Sequence, residues 1–260
     1  MQMLENARSG HSAGPLGMAD LLAVLFGHSL RHRPEQPGWE DRDVFLLSNG
    51  HTAPVLYAAM AHTGYFPTDE LMTLRRLGSR LQGHPERTAL PGLENTSGPL
   101  GSGLSQGAGW AQIVRDLDGR PDRVVYVMMG DGELNEGNIW EAAMYAAKYR
   151  LGNLIGIVDR NFIQIDGDTE DVMPLGDLAG KWRTFGWHVV DIDGNDIAAI
   201  VEAVDECRRV TDQPSVILAR TVPGRGVPYM EHDHTWHGRV PTSEQADIAV
   251  AALTAEGETR

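Results

Sequence analysis

Short, uninterrupted runs of apolar residues alternate along this chain with segments whose apolar residues recur every three or four positions. The runs at residues 124–129 and 154–158 are rich in strand-forming residues, which is typical of strands buried on both faces. Between them, residues 138–149 place one isoleucine and several alanines at helical spacing. This order predicts a βαβ unit, whose right-handed crossover makes the two strands parallel.

The same rhythm continues through most of the chain and predicts an α/β fold, a mostly parallel sheet with helices on both faces. Further strands are expected at residues 44–47, 187–192 and 215–221, and further helices at residues 19–30, 52–63, 104–114, 197–209 and 244–253. The polar tail that follows is typical of a docking or frayed end. Because neither an internal repeat nor a low-complexity stretch divides the sequence, we expect one domain over residues 1–260.

Composition excludes several classes of protein. Of the 260 residues, 42% are hydrophobic, enough for a large core without metal or disulfide support. The net charge of −14 argues against nucleic-acid binding, which requires a clustered basic surface. Cys207 is the only cysteine, which excludes an intrachain disulfide, and no segment resembles a signal peptide or a membrane span. We therefore expect a cytoplasmic protein that binds neither nucleic acid nor membrane.

Polar residues that suit a hard cation follow both strands of the central unit. The segment Gly130-Asp131-Gly132 ends the first strand, and Asn161 follows the second. Because parallel strands present their carboxyl ends at one edge of a sheet, we expect the two side chains to converge. One carboxylate, one amide oxygen and a carbonyl such as that of Ile163 match the ligands that Mg²⁺ prefers, and a diphosphate would complete its shell. Gly-Asp-Gly alone would be an ordinary turn.

Together with five other segments, this pair of strand ends resembles the thiamine diphosphate motif of the transketolase family. The other segments stand in the family's order: SGHSAGPLG at residues 9–17, LSNGH at 47–51, GHPE at 83–86, GPLGSG at 98–103 and WHG at 236–238. Five segments in register are far more specific than any one of them. The resemblance runs from residue 9 to about residue 240 and implies the thiamine-diphosphate-binding fold, in its diphosphate-binding domain.

The resemblance implies a cofactor site. Asp131, Asn161 and Ile163 would hold Mg²⁺, or Ca²⁺ or Mn²⁺ in its place, against the diphosphate of thiamine diphosphate. Gly98 and Leu100 would lie against the aminopyrimidine ring, where glycine allows close approach of the backbone. The full set of implied cofactor-binding residues is His51, Gly98, Leu100, Gly130, Asp131, Gly132, Glu136, Asn161, Ile163 and His237.

Four of the ten histidines, His11, His51, His84 and His237, lie in these glycine-rich segments. An isolated histidine is most often only a hydrogen-bonding group at or near the surface. Cleavage of a ketose, however, requires moving a proton from a hydroxyl and stabilising a developing alkoxide, tasks that suit imidazoles. By resemblance, we expect His11, His84 and His237 to be catalytic, and His51 and His237 to contact the cofactor.

Two features have a second interpretation. Glu136 would belong to an acidic network between paired active sites if the resemblance holds there, or would be an ordinary carboxylate at a helix start, favoured by the helix dipole. The closely spaced His232, His234 and His237, together with Asp233, suggest a zinc site, but no second ligand cluster completes it.

A complete transketolase continues into a pyrimidine-binding domain and a C-terminal domain, and the former carries the glutamate that activates the cofactor. The segment TVPGRGV at residues 221–227 and the WHG segment resemble the N-terminal subunit of split transketolases, whose other domains form a separate polypeptide. We therefore expect an obligate C-terminal transketolase subunit as partner, in an α2β2 heterotetramer acting on small sugars or sugar phosphates.

The expected reaction is a ping-pong transfer of a two-carbon ketol unit from a ketose to an aldose or other aldehyde. Two alternatives stay open from the sequence. One is a specialised thiamine diphosphate enzyme that acts on a carbon–carbon bond in a dedicated biosynthetic or catabolic pathway. The other is a noncatalytic cofactor-binding module, although anchoring a cofactor would not require all four loop histidines.

Overall fold

The computed structural model describes residues 1–259, without the side chains of residues 256, 258 and 259. The strands in this part of the chain are β1 (Val44–Leu47), β2 (Val125–Gly130), β3 (Leu154–Arg160), β4 (Ile163–Gln164), β5 (Gly167–Asp168), β6 (His188–Asp193) and β7 (Ser215–Arg220). The α-helices are α1 (Gln2–Ala7), α2 (Ala13–Gly17), α3 (Ala19–Val24), α4 (Ala53–His62), α5 (Ser102–Gln112), α6 (Gly137–Lys148), α7 (Thr169–Val172), α8 (Leu178–Thr184), α9 (Ile197–Arg209) and α10 (Ser243–Thr259).

Five of these strands form one sheet in the order β1-β2-β3-β7-β6, with every neighbouring pair parallel. The predicted parallel sheet is thereby confirmed. The register places Gly130 beside Asp159, so the strand ends of the predicted cation site are adjacent. Directly after β3, the strands β4 and β5 form a small antiparallel hairpin that the apolar pattern does not predict.

Helices cover both faces of the sheet because its buried strands point alternate apolar side chains to opposite sides. Tyr126 and Met128 face a layer that includes residues of α1, α3, α4 and α9. Val125 and Val127 face the layer that includes α5, α6 and α8. Each fully buried side chain of this size contributes about 1.5–3 kcal/mol to folding. The strand ends therefore project from a scaffold that is packed on both sides.

Several helices differ from their predicted bounds. Helix α3 and the following π-helical turn, Leu25–Ser29, together replace the single helix expected at residues 19–30. Helix α10 is longer than predicted and is docked, since Ala246 and Ala249 are buried and Ser243 donates a 2.6 Å hydrogen bond to Glu5. No helix among residues 1–259 is both long and apolar enough to cross a membrane.

Candidate active site

A cavity of about 370 Å³ opens where β2 and β3 end. Loops from distant parts of the chain meet there, because the parallel strands deliver their carboxyl ends to one edge of the sheet. The predicted site residues in its lining are His11, His51, His84, Gly98, Leu100, Gly130, Asp131, Gly132, Asn161, Ile163 and His237. Glu136 is exposed and does not belong to this lining.

The Asp131 carboxylate lies at the tip of β2 and is almost completely buried, with 1% of its surface exposed. Its Oδ2 accepts hydrogen bonds from Arg160 Nη1 at 2.9 Å and from the Phe162 amide at 2.8 Å. Its Oδ1 accepts from the Gly132 amide at 2.7 Å. Burial raises the pKa of Asp131, while Arg160 and the two amides oppose that rise. The carboxylate is therefore held in one orientation.

Asn161 is oriented by a second buried carboxylate, that of Asp159. The Asn161 amide nitrogen donates to Asp159 at 2.7 Å, and its Oδ1 accepts from the Ile163 amide at 3.0 Å. Thr221 donates to the other oxygen of Asp159. Burial raises the pKa of Asp159 to about 7. Because the nitrogen of Asn161 is bound to Asp159, its oxygen is turned away from that carboxylate.

Glu133 fastens the loop at residues 98–103 to the end of β2. Its side chain is buried and accepts hydrogen bonds from the hydroxyl of Ser48, from the amide of Gly101 at 2.5 Å and from the amide of Gly130 at 3.1 Å. Burial raises the pKa of Glu133, and these donors act against the rise. Glu133 thus sets the distance between two walls of the cavity.

Three imidazole rings form a triangle on another wall of the cavity. The ring centroids are 4.9 Å apart for His11 and His51, 5.1 Å for His51 and His237, and 5.5 Å for His11 and His237. His84 also lines the cavity and is the most exposed of the four histidines. The turn of 3₁₀ helix that carries His51 is tightly packed, since a Cβ on Gly50 would lie 2.3 Å from that of Ser97.

These histidines are neutral at physiological pH. Burial, followed by the nearby His237, lowers the pKa of His11 to about 4 and that of His51 to about 3. Burial also lowers the pKa of His237, and burial followed by the charge of Arg75 lowers the pKa of His84. A neutral imidazole can accept one proton and donate another, so the cluster can move protons without adding positive charge to the cavity.

Comparison with known proteins decides the family. The model described as "Transketolase, thiamine diphosphate binding domain" matches residues 1–254. The chain belongs to the transketolase family. Within this family it shares 43% identity with a protein of Clostridium sp. (strain MSTE9) named as a 6-deoxy-6-sulfo-D-fructose transketolase subunit. That match covers 95% of this chain and 90% of the Clostridium protein.

Two further relatives differ in how much of their own length this chain matches. A Phocaeicola vulgatus protein named as an apulose-4-phosphate transketolase subunit is 38% identical, over 98% of this chain and 89% of its own length. The crystal structure of transketolase from Campylobacter jejuni superposes with a TM-score of 0.90 at 34% identity, over 97% of this chain. This transketolase-family chain spans only 40% of the Campylobacter chain.

The cavity suits a ligand rich in nitrogen and oxygen, as thiamine diphosphate is. Several polar atoms in its lining are buried without a hydrogen-bond partner in the described part of the chain, an arrangement that favours occupancy by a polar ligand. They are His11 Nδ1, His237 Nδ1, Asn49 Oδ1 and Gln164 Nε2. For a hard cation, Asp131, Asn161 and the Ile163 carbonyl offer oxygen ligands, as Mg²⁺ prefers.

The histidines just before and within the WHG segment do not form a zinc site. Within residues 1–259, no group of three or more His, Cys, Asp or Glu side chains could hold a metal ion. His237 joins the imidazole triangle instead, and His232 is exposed. The magnesium site predicted from one carboxylate, one amide and one carbonyl is of a different kind and stays a prediction.

Sequence reasoning did not identify several residues that shape the cavity of this transketolase-family chain. Asp159 and Glu133 line it and hold its walls, and Gln164 and Asn49 contribute unpartnered polar atoms. A weak signal exists for Asp159, which ends an apolar run two residues before Asn161. Gln164 lies on β4, and a strand of two residues leaves no periodic pattern.

Proposed function

We propose that this chain is the N-terminal, diphosphate-binding subunit of a two-chain transketolase that depends on thiamine diphosphate and Mg²⁺. The observation that supports this most strongly is one cavity that joins three close-packed imidazoles to the adjacent ends of β2 and β3. The first arrangement suits proton transfer on a sugar, and the second suits a metal-bound diphosphate.

In this proposal the strand ends hold the cofactor. Asp131, Asn161 and the Ile163 carbonyl would hold Mg²⁺, or Ca²⁺ or Mn²⁺ in its place, which would supply positive charge against the diphosphate. Gly98 and Leu100 form the wall for the aminopyrimidine ring, at the loop that Glu133 fastens. When bound, thiamine diphosphate supplies the electron sink that a ketose needs to release its two-carbon end.

The histidines carry the proton transfers. Because His11 and His237 are neutral and each has a buried Nδ1 without a partner in the described structure, each ring can exchange a proton or a hydrogen bond with a sugar hydroxyl. His84, at the exposed side of the cavity, would meet the incoming aldehyde. Burial lowers the pKa of His51 to about 3, which suits an uncharged contact with the cofactor.

The partner completes the site. Two similar proteins are named as transketolase subunits, and this chain covers about nine-tenths of each, 90% and 89%. We propose an obligate partner that carries the pyrimidine-binding domain, in an α2β2 assembly. A cytoplasmic location agrees with the single, buried cysteine, Cys207.

The substrate class is a ketose with an anionic end. The two named relatives act, by their names, with a sulfo-fructose and with apulose 4-phosphate, which differ in sugar and in acid group. We extend only the shared chemistry to this chain, a ketose whose far end carries a sulfonate or a phosphate. A dedicated pathway with an unusual ketose fits this proposal as a special case of ketol transfer.

The test is affinity purification of the tagged chain from its own organism at physiological salt, with mass spectrometry of the proteins recovered. A ketol-transfer assay of the eluate, with and without thiamine diphosphate and Mg²⁺, completes it. We expect recovery of a chain with a pyrimidine-binding domain and activity absent from either chain alone. Repeated recovery of this chain only, inactive with the cofactor, would support a noncatalytic binding module instead.

A further inference from the structure

Arg75 lies between two of the loops that deliver histidines to the cavity. Its Nη1 donates a 2.8 Å hydrogen bond to the Ser9 hydroxyl, two residues before His11. Its Nη2 lies 3.5 Å from the Gly83 carbonyl, directly before His84. The backbone amide of Arg75 also donates to the Leu81 carbonyl at 2.9 Å. One guanidinium therefore bridges segments that are more than seventy residues apart in sequence.

A side chain at Gly83 would collide with the guanidinium of Arg75. A Cβ on Gly83 would lie 2.8 Å from Arg75 Nε and 2.9 Å from its Cζ. Arg75 itself has a φ of 59°, in the left-handed region that arginine seldom adopts. The absence of a side chain at Gly83 thus lets the guanidinium lie close to the loop that carries His84.

No carboxylate in the part of the chain that the structure describes neutralises the charge of Arg75. Among the described residues, Arg75 forms no ion pair with a carboxylate, and its Nε is buried without a hydrogen-bond partner. An arginine at the surface would ordinarily find an acidic partner or water. A partly buried guanidinium without a carboxylate, facing a group of neutral imidazoles, needs a functional explanation.

We propose that Arg75 is a positioning residue of the active site, which braces the His11 and His84 loops and keeps a positive charge beside these two rings. The functional role of Arg75 rests on the proposed ketol transfer, whereas its contacts with the two loops do not depend on that function. Lysine in its place would keep the charge and lose the fork of donors that reaches both loops.

The charged and titratable groups around His11 and His84 determine the direction in which a change at Arg75 should shift the pKa values of these two histidines. His11 faces His51, His84, His237 and Arg75, and its pKa is lowered by burial first and by His237, Arg75 and His84 after it. Burial and then Arg75 lower the pKa of His84. The carboxylates that line the same cavity, those of Asp131, Glu133 and Asp159, do not contribute to either shift.

The test compares Arg75→Gln and Arg75→Lys with the wild-type chain, and uses Arg76→Gln as a control. Arg76 is the neighbouring arginine, is exposed and donates to Asn6 outside the cavity. NMR titration of the ring carbons of the full chain gives the midpoint of each histidine without any turnover. Steady-state kinetics of the two-chain complex, across pH, give kcat and KM.

We expect Arg75→Gln to raise the midpoints of His11 and His84, because a cation beside them is removed. The midpoint of His237 serves as the internal reference, since burial is what lowers its pKa. Arg75→Lys should leave all midpoints near their wild-type values but lower kcat/KM about 10- to 100-fold, through misplaced loops.

In the complex with Arg75→Gln, the acidic limb of the kcat/KM profile should also move to higher pH. Arg76→Gln should change neither quantity. Unchanged midpoints of His11 and His84 in Arg75→Gln would overturn the charge role, and wild-type kcat/KM in both variants would overturn the bracing role. A wild-type complex that transfers no ketol unit would overturn the proposed function, and the titration would still decide the role of Arg75.

Discussion

Arg160 donates a hydrogen bond to Asp131 Oδ2 at 2.9 Å, so the carboxylate predicted to bind a cation is already part of an ion pair. The other end of the guanidinium pairs with Glu170, and its central carbon lies 4.1 Å from the centre of the Phe162 ring. Oδ1 of Asp131, bonded to the Gly132 amide, is the oxygen that remains for a metal. Arg160 therefore presents one oxygen of Asp131 to the cavity.

Replacing Asp131 with alanine should abolish Mg²⁺-dependent binding of thiamine diphosphate, because the one carboxylate of the proposed metal site is lost. We expect a loss of affinity beyond about 100-fold, measured by isothermal titration calorimetry with and without Mg²⁺. Asp171→Ala is the matched control, an exposed acid on α7. Unchanged binding in Asp131→Ala, with circular dichroism showing a folded chain, would contradict the metal assignment.

The contact between Thr221 and Asp159 should matter for the metal although neither residue is a proposed ligand. In Thr221→Val, Asp159 loses a donor and no longer holds the Asn161 amide in place. We expect Mg²⁺ affinity to fall about 10- to 100-fold, the usual effect of removing such a supporting contact. Thr184→Val, whose wild-type hydroxyl donates to the Gly180 carbonyl on α8, serves as control. Equal Mg²⁺ affinity in both variants would refute this role.

Glu133 and Glu136 should differ sharply in their effect on stability. Glu133→Ala leaves two buried donors, those of Ser48 and Gly101, and the half-buried Gly130 amide without this acceptor; since each buried donor costs about 1–3 kcal/mol, we expect a loss of at least about 2 kcal/mol. Glu136→Gln changes an exposed residue and should stay within about 0.5 kcal/mol of wild type. Urea unfolding measures both.

Glu136 also has a separate prediction from the resemblance, a place in an acidic network between paired active sites. If that role is correct, Glu136→Gln should lower ketol transfer by the two-chain complex while the unfolding free energy stays unchanged. Wild-type activity in this variant would leave Glu136 as an ordinary carboxylate at the start of α6.

The contribution of His11 and His51 to stability should fall as the pH drops below about 6.5, because their imidazoles take up protons in the unfolded chain and stay neutral in the folded one. From an ordinary pKa of 6.5, that of His11 is lowered to about 4 and that of His51 to about 3. Their contribution is complete above pH 6.5 and is lost progressively down to the folded values. Between pH 7 and pH 5, His11→Gln/His51→Gln should lose less unfolding free energy than wild type, as measured by urea unfolding. His62→Gln, at an exposed position, should keep the full difference.

The sheet and the position of its strand ends could largely be predicted because the signals are local. The strand at residues 44–47 and the helix at residues 197–209 have their predicted bounds, and the adjacent ends of β2 and β3 follow from the crossover rule. The hairpin of β4 and β5 could not be predicted, since strands of two residues carry no pattern. Short helices such as α2 and α8 were not predicted, because they too are too short to carry a clear pattern.

The two glutamates after the Gly-Asp-Gly turn show the limit of the sequence more clearly. Glu133 and Glu136 both follow Asp131 within five residues, and either suits a helix start. Only the tertiary structure separates them, by bringing Ser48 and Gly101 to Glu133 and leaving Glu136 exposed. Likewise, nothing local shows that Arg160 turns back onto Asp131 or that Arg75 reaches two loops.

The most direct measurement of the central claim is isotope transfer by the purified chain combined with its purified partner. A ketose labelled at its first two carbons is supplied with an unlabelled aldehyde, and the new ketose is analysed by mass spectrometry. We predict that the label appears in the first two carbons of the product only when both chains, thiamine diphosphate and Mg²⁺ are present. Transfer by the partner chain alone, or no transfer by a complex that binds the cofactor, would contradict the account.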